Sequence, residues 1–407
     1  MFSIPITYGR RHVMVAALLA LFSCSVRAAP LTEAEALRYG LARQELADLA
    51  QARLSEADAD ILEASTWANP TFEVARDKTG VNTEDSWQIS QPIDFSGRRE
   101  LRTGAAEHRR IAAESENLAR SNEQAAEVRR VFFTVLRQQE TLHAVQAWAT
   151  RFDEIGRVVE KLARAGETSG YDRRRLVREQ RAAEARLAET RAGLERDRAK
   201  LSALLGQVSE DGVTGHLLPD APPTLESLHK KLAERPDLSA LAARVKAANA
   251  DNAAARRNFP EVTFGIGGKR VDDGITRGAG TLFSVSIPLP VFDRQKAGDR
   301  RSVAQAMTAS AELGLARQGA EGELTGLHRQ LSQLIVAAER YRQNAVAPSV
   351  DLVRIAEAAY RAGESTVLEL LDAYKGALEA ETMAIDLEWK ARVARIELDQ
   401  LTGNDPK

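Results

Sequence analysis

Residue types that often carry chemistry are scattered along this 407-residue sequence. Five histidines beyond the N-terminal segment stand singly, without the paired spacing of a metal site and without a cysteine beside them. They are His108, His143, His216, His229 and His328. The run GIGGKR at residues 265–270 lacks the spacing of a phosphate-binding loop and falls in a predicted strand. We therefore predict no enzyme activity, no cofactor and no metal site.

The most regular arrangement of charged side chains follows a repeated tetrapeptide. The letters RAGE occur at residues 164–167 and again at 361–364, each time followed by a hydroxyl residue. Beyond the second copy, Glu369 and Asp372 are three residues apart and therefore share one face of a predicted helix. The first copy has Asp172 and Arg175 at the corresponding positions. Such charged groups either attract or repel ions at a functional site or are ordinary solvent-exposed charges of a helix.

The two tetrapeptides belong to a duplication that covers nearly the whole chain. The two RAGE segments are 197 positions apart, and the predicted final helices end at Gly206 and at Gly403, which are also 197 positions apart. The segment QPIDFSGRR in the first half corresponds to IPLPVFDRQ in the second. Each copy reads as helix, β-hairpin, very long helix, tight turn and long helix. The predicted plan is a signal peptide (1–28), a first repeat (29–208), a Gly- and Pro-rich linker (209–224) and a second repeat (225–407).

In the first repeat, the pattern predicts a single helix over 31–67, which the Asn69-Pro70 pair stops. A β-hairpin is then predicted in each repeat, at about 70–95 and at about 260–292. The strands alternate apolar and polar residues with a period of two. Their predicted apolar positions are Trp87, Ile89, Ile93 and Phe95 in the first repeat and Phe283, Val285, Ile287 and Leu289 in the second. The polar segments KTGVNTED and KRVDDGITRGAG are the predicted loops. Each strand thus has a single apolar face.

After each hairpin, near Gly97 and near Ala297, helical periodicity continues for roughly 65 to 70 residues, which predicts an uninterrupted helix roughly 100 Å long. Its apolar residues in the first repeat have coiled-coil spacing. They are Val128, Phe132, Val135, Leu142, Val145, Ala149 and Phe152. The chain reverses at tips near 163–169 and 360–366, where glycine allows a tight turn. Thr168 and Ser365 are the predicted caps of the returning helices.

The N-terminal segment predicts export. Residues 1–28 have a basic start, a short apolar core and a small-residue cleavage site after Ala28. Alternatively, LFSC is a lipoprotein cleavage box and Cys24, the only cysteine, becomes acylated. Either way no disulfide stabilises the exported fold. The 56 basic and 58 acidic residues are balanced, which argues against a nucleic-acid partner.

Four amphipathic strands cannot close a barrel, because about eight strands are needed to enclose a filled interior. An open sheet edge is not tolerated in a membrane. Several chains must therefore pool their strands, and the sequence itself does not choose between two chains and three.

The leader, the duplicated plan, the RAGE turns, the segment IPLPVFDRQ and the terminal LDQLTG together resemble the outer-membrane factor (TolC-like) family. The resemblance spans nearly the whole chain beyond the leader. It implies a mainly α fold with a β-barrel part: a homotrimer whose twelve strands form one outer-membrane barrel, continued by a long periplasmic α-helical coiled-coil barrel. It also implies three further partners, namely a periplasmic adaptor (membrane fusion) protein, an inner-membrane pump of the resistance-nodulation-division (RND) type and outer-membrane lipid.

The resemblance assigns roles to residues at the two tips. The implied adaptor contacts are Arg164, Gly166, Glu167, Arg361, Gly363 and Glu364. The implied entrance and gating residues are Glu369, Asp372, Asp172 and Arg175, the last as a partner for an acid of a neighbouring tip. A turn that merely reverses a helix, with no binding role, is the alternative for both RAGE segments.

The helical region has no large insertion, and SIPLPVFDRQKAGDRR looks most like the branch that serves heavy-metal cation exporters. Cobalt, zinc, cadmium or nickel would then be the substrate. Two other classes remain open: a duct for organic toxicants or for secreted polypeptide, and a periplasmic coiled-coil structural protein without a pore.

Overall fold

The computed structural model describes residues 30–166, 169–207, 212–257 and 259–403. The predicted signal peptide with Cys24, the tip residue Glu167 and the predicted cap Thr168 lie outside the described residues. The first repeat consists of α1 (Glu33–Leu41), α2 (Gln44–Ser65), β1 (Thr71–Thr79), β2 (Asn82–Ile93), α3 (Arg98–Arg164) and α4 (Gly170–Leu205). The second consists of α5 (Leu225–Leu232), α6 (Pro236–Ala255), β3 (Val262–Asp272), β4 (Arg277–Ser286), α7 (Lys296–Tyr341), a π-helical segment (Arg342–Val346), α8 (Ala347–Arg361) and α9 (Val367–Thr402).

This order confirms the mainly α fold and its duplicated plan. The first helix of each repeat is split, however, so the single helix predicted over 31–67 was wrong: α1 ends at Leu41 and α2 begins at Gln44. Arg43 between them has extended backbone. Among the described residues, none of the helices combines the length and the apolar character needed to cross a bilayer.

The four strands form one antiparallel sheet in the order β1-β2-β3-β4. Both turns are shorter than the predicted polar loops, because β1 pairs with β2 up to Thr79 and Asn82, and β3 pairs with β4 up to Asp272 and Arg277. Three apolar positions of the predicted alternation lie beyond the strand ends, so their assignment to strands was wrong. They are Phe95, Ile287 and Leu289.

The register sorts the strand side chains onto two different faces. One face, here called the aromatic face, carries the large apolar side chains of all four strands, and these are exposed in the single chain. They are Phe72, Val74, Trp87, Ile89, Phe264, Ile266, Phe283 and Val285. The opposite face, here called the polar face, carries residues such as Glu73, Gln88 and Ser284, and Gln88 donates a 2.7 Å hydrogen bond to Ser284. The predicted amphipathic strands are thus confirmed.

The long helix of the first repeat is α-helical throughout, whereas that of the second contains a π-helical segment. In α3, the predicted apolar positions Val128, Phe132, Val135, Val145 and Phe152 are buried. In the second repeat, the π-helical segment ends at Val346, two residues before Pro348. Proline has no N–H and its ring excludes the carbonyl four residues earlier, so a regular helix cannot continue there. The second predicted helix of roughly 65 to 70 residues is thus helical without a break over 296–361, but it is not an α-helix throughout.

Ion pairs join the two repeats near the middle of α3, and the linker packs there as well. The buried Arg129 of α3 donates to Glu33 of α1 at 2.6 Å and to Asp399 of α9 at 3.2 Å. Within the linker, Val213 exchanges two hydrogen bonds with the Gln139 side chain. These contacts fix α1, α3 and α9 as one unit from which the tips extend.

Candidate channel mouth

The turn between α8 and α9 has the hydrogen bonds of a Schellman motif. Gly363 lies in the left-handed region (φ 76°), its N–H donates to Tyr360, and the Glu364 N–H donates to Ala359 at 2.9 Å. Gly166 has the matching φ of 77°, and its N–H donates to Ala163. Glycine is favoured at both positions because a Cβ strains this conformation. The tight reversal predicted from RAGE is present in both repeats.

The caps of the returning helices differ by one position from the prediction. Thr366, not Ser365, is the N-cap of α9, and Glu369 completes a capping box by accepting from the Thr366 N–H at 2.8 Å. Ser169 is the N-cap of α4 and accepts from the Asp172 N–H at 3.1 Å. The reason is geometric, since an N-cap side chain must reach the N–H groups of the first helical turn.

The predicted entrance residues lie close to these caps. Glu369 and Asp372 are both exposed on the first turns of α9. Asp172 accepts from the Ser169 hydroxyl at 2.8 Å, and Arg175 contacts the Tyr171 hydroxyl at 3.5 Å. In the described part of one chain, no ion pair joins Arg175 to an acid or Glu369 to the first tip. The proposed contact between neighbouring tips involves a second chain and stays a prediction.

The basic residues of the two RAGE segments point into solvent. Arg164 pairs with Glu160 at 3.5 Å and Arg361 pairs with Glu357 at 3.6 Å, and both arginine side chains are more than two-thirds exposed. Both are therefore available to a partner protein, as is the exposed Glu364. Their role as adaptor contacts stays a prediction.

Beneath these exposed residues, the helices that approach the tips share one apolar core. Phe152 of α3 stands edge-on to Trp148 and to Tyr374 of α9, with ring centroids 4.8 Å and 5.6 Å apart. The Tyr374 hydroxyl donates to Glu357 of α8 at 2.9 Å. Burial, followed by the nearby charge of Asp172 from α4, raises the pKa of Tyr360. The two tips of one chain are thus packed together.

A buried ion pair between the tips was missed from the sequence. Glu179 of α4 is almost fully buried and accepts from Lys375 of α9 at 2.8 Å, while Arg178 binds its other oxygen. Burial opposes its ionisation, but these two cations hold the pKa of Glu179 below the ordinary value. A signal was present: Leu176, Glu179 and Ala183 have the spacing of a coiled-coil seam, so the glutamate occupies an inward position. Among the described residues, no cluster of side chains is arranged to hold a metal ion.

The chain is similar to known proteins in sequence and in fold. The chain is 28% identical over 382 residues to the cobalt-zinc-cadmium resistance protein CzcC of Cupriavidus metallidurans, covering 92% of this chain and 91% of that protein. It is 27% identical over 298 residues to the nickel and cobalt resistance protein CnrC of the same organism, 64% of each chain. The crystal structure of the outer membrane protein VceC of Vibrio cholerae superposes with a TM-score of 0.76 at 18% identity, over 91% of this chain and 96% of that one.

The profile of the family described as "Outer membrane efflux protein" matches residues 39–207 and 227–404, which are most of the two repeats. Together with the duplicated plan and the amphipathic sheet, this match shows that the chain belongs to the outer membrane efflux protein family, whose members lie in the outer membrane with a periplasmic helical extension.

Proposed function

We propose that this protein is the outer-membrane channel of a tripartite efflux system and that it exports heavy-metal cations. Three copies would form the channel, and a periplasmic adaptor and an inner-membrane RND-type pump would supply substrate and energy. The observation that carries the proposal is the sheet, which exposes one aromatic face. In the described part of one chain, the outer edges of β1 and β4 have no neighbouring strand.

A sheet of this kind is stable in a membrane only in a closed assembly. Unpaired N–H and C=O groups of β1 and β4 have no water to bind in the hydrocarbon region, and each would cost several kcal/mol. Pairing β4 of one copy with β1 of the next satisfies these groups. Three copies of this four-stranded sheet give the twelve strands implied by the resemblance, with the aromatic face toward lipid.

The polar face would then line the lumen, and its charge suits cations. It carries Glu73, Asp77, Glu84 and Lys269, where Lys269 pairs with Glu84 at 3.1 Å. This leaves two net negative charges per chain on the polar face of the strands. Acidic rings favour cation passage, and further carboxylates at the proposed entrance, Glu369 and Asp372, would act in the same direction.

The substrate class is inferred from the relatives. CzcC, at 28% identity across nearly the full length, is named for cobalt, zinc and cadmium resistance, and CnrC for nickel and cobalt resistance. A wide water-filled duct needs no ligands for the ion that it conducts, so we expect the substrate to be selected mainly by the pump.

Deletion of the gene in its own host tests the substrate. Growth is compared in cobalt, zinc, cadmium and nickel salts and in detergents, dyes and antibiotics, with plasmid-borne wild-type protein as the control. We expect selective metal sensitivity that the plasmid restores. Selective sensitivity to organic compounds would keep the channel and reject the metal, while loss of a secreted polypeptide would indicate an export duct.

Planar-bilayer recordings test the entrance assignment. E369Q/D372N removes both charges, but the amide that replaces the Glu369 carboxylate keeps the side-chain oxygen that the capping box requires. We expect reduced cation selectivity relative to wild type, with E379Q as a control at another position of α9. Unchanged selectivity would remove Glu369 and Asp372 from the entrance.

A further inference from the structure

We propose that the aromatic face ends in a phosphate-binding belt that holds anionic lipid of the outer leaflet. A row is here the set of residues that lie side by side on the four strands. The two rows next to the hairpin turns are mainly charged, unlike the rest of this face. The first row contains Lys78, Thr83, Asp272 and Arg277, and the second contains Arg76, Asp85, Arg270 and Ala279. These eight residues are here called the charged belt. The inference rests on the proposed closed barrel.

The position of the belt matches one boundary of a membrane. Below it, four rows from Val74 to Ile93 are mainly apolar, and successive rows are roughly 6.7 Å apart, so they cover roughly 20 Å and approach the height of the apolar band of outer-membrane barrels. The helices leave from the opposite, periplasmic end of the sheet. The hairpin turns therefore point outward, and the belt lies at the level of the outer-leaflet headgroups.

The belt has an excess of positive charge. Arg76 forms a bidentate pair with Asp85 across the strands, and Arg277 pairs with Asp272 at 2.8 Å. Within the described residues, the side chains of Lys78 and Arg270 form no hydrogen bond or ion pair. The belt thus has a net charge of two positive units per chain, while the polar face at the adjoining levels holds Asp77, Glu84 and Lys269. The sheet reverses the sign of charge between its two faces.

Closure of the barrel brings further cations together. Arg76 and Lys78 belong to one edge strand and Arg277 belongs to the other. Pairing β4 with β1 of the next copy therefore places them on adjacent strands, and the backbones of adjacent strands are about 4.8 Å apart. Guanidinium groups bind phosphate oxygens in a planar, bidentate manner, and lysine adds a point charge. A phosphorylated glycolipid, with acyl chains on the aromatic face and phosphates on the belt, satisfies both surfaces.

Binding to the detergent-solubilised full chain tests this proposal. The probes are bis-phosphorylated lipid A and the same lipid after removal of both phosphates, measured by native mass spectrometry and by thermal stabilisation. We expect wild-type protein to bind the phosphorylated probe roughly tenfold or more tightly. K78Q/R270Q should lose this preference, and the charge-preserving R270K should keep it. K269Q, at a similar height but on the polar face, is the matched control and should resemble wild type.

No preference for phosphate in wild-type protein, or an unchanged preference in K78Q/R270Q, would overturn the belt. Equal stabilisation by inorganic phosphate would assign the site to a free anion instead of a lipid. If the double variant fails to assemble, R270Q alone replaces it. The proposed channel is judged separately, from the trimer mass and the bilayer conductance of the same wild-type sample.

Discussion

The first repeat reaches its tip through one unbroken helix, whereas the second passes through a π-helical segment at Arg342–Val346. When the repeats are aligned on RAGE, Arg342 corresponds to Val145, which is completely buried in the apolar core. Arg342 instead binds two glutamates of α9, namely Glu388, at 2.7 Å and 3.1 Å, and Glu381. One repeat therefore uses apolar packing where the other uses charge.

This difference gives the second repeat a charged cluster at a level where the first repeat has apolar packing. An apolar seam is insensitive to pH, but the Arg342 cluster also lies near Glu140 of α3. Burial and the charge of Glu388 raise the pKa of Glu140, and the charge of Arg342 opposes that rise. π-Helical turns are often found at functional sites, and here Arg342 joins the turn to α9 through two ion pairs.

The largest effect is expected from R342L. Removing the cation leaves two partly buried carboxylates without a partner, so we expect a loss of about 2 to 3 kcal/mol in the free energy of unfolding near neutral pH. The loss should shrink as the pH falls, because Glu140 binds a proton more readily once the opposing charge of Arg342 is gone. Chemical denaturation of the solubilised protein at about pH 8 and about pH 5 measures both effects. R354L, at an exposed arginine of α8, is the control, and an equal loss there would contradict the cluster.

The second prediction compares two glycines with open space around them. A Cβ added at Gly363 or at Gly376 meets no atom within 4 Å, but only Gly363 has positive φ. G363A should therefore cost about 1 to 2 kcal/mol, whereas G376A, inside α9, should stabilise by up to about 1 kcal/mol. G363V should in addition weaken adaptor docking and leave the trimer intact. Loss of the trimer in G363V would make this turn structural.

The third prediction concerns the caps of the two tips. T366A removes the capping box of α9 and S169A removes the cap of α4, and each should cost about 1 kcal/mol. We expect T366A to cost less than S169A, because the backbone N–H of residue 366 can still donate to Glu369, whereas the Ser169 hydroxyl makes two hydrogen bonds with Asp172. Hydrogen exchange in the first turns of α4 and α9 measures the two losses. A larger loss in T366A would show that the bond to Glu369 breaks together with the hydroxyl contact.

The sequence predicted those features that depend on local periodicity. The long α3 follows from apolar residues spaced about 3.6 positions apart, and the four amphipathic strands follow from apolar residues at every second position. The glycine turns follow from a backbone conformation that favours glycine. Features that depend on tertiary contacts were missed. Pro348 can be seen in the sequence. The π-helical segment before it, however, is bound through Arg342 to glutamates of α9 that lie 39 and 46 residues further along. Glu179 and Lys375 likewise meet only when α4 packs on α9.

The smallest effect is expected where the long helix of each repeat begins. Gly97 precedes α3 with φ 71°, and Gln295 precedes α7 with φ 56°; in the described ranges, Gln295 is the only residue other than glycine with positive φ. Q295G should stabilise by about 0.5 kcal/mol, because relief of strain exceeds the added freedom of the unfolded chain, and G97Q should cost about 1 kcal/mol. Denaturation midpoints of both variants measure these changes in stability.

Gln295 also accepts a weak 3.4 Å hydrogen bond from Arg98 of the first repeat. If Q295G proved destabilising, that contact between the two repeats would outweigh the backbone strain, and Gln295 would be retained for joining the repeats at the base of the sheet.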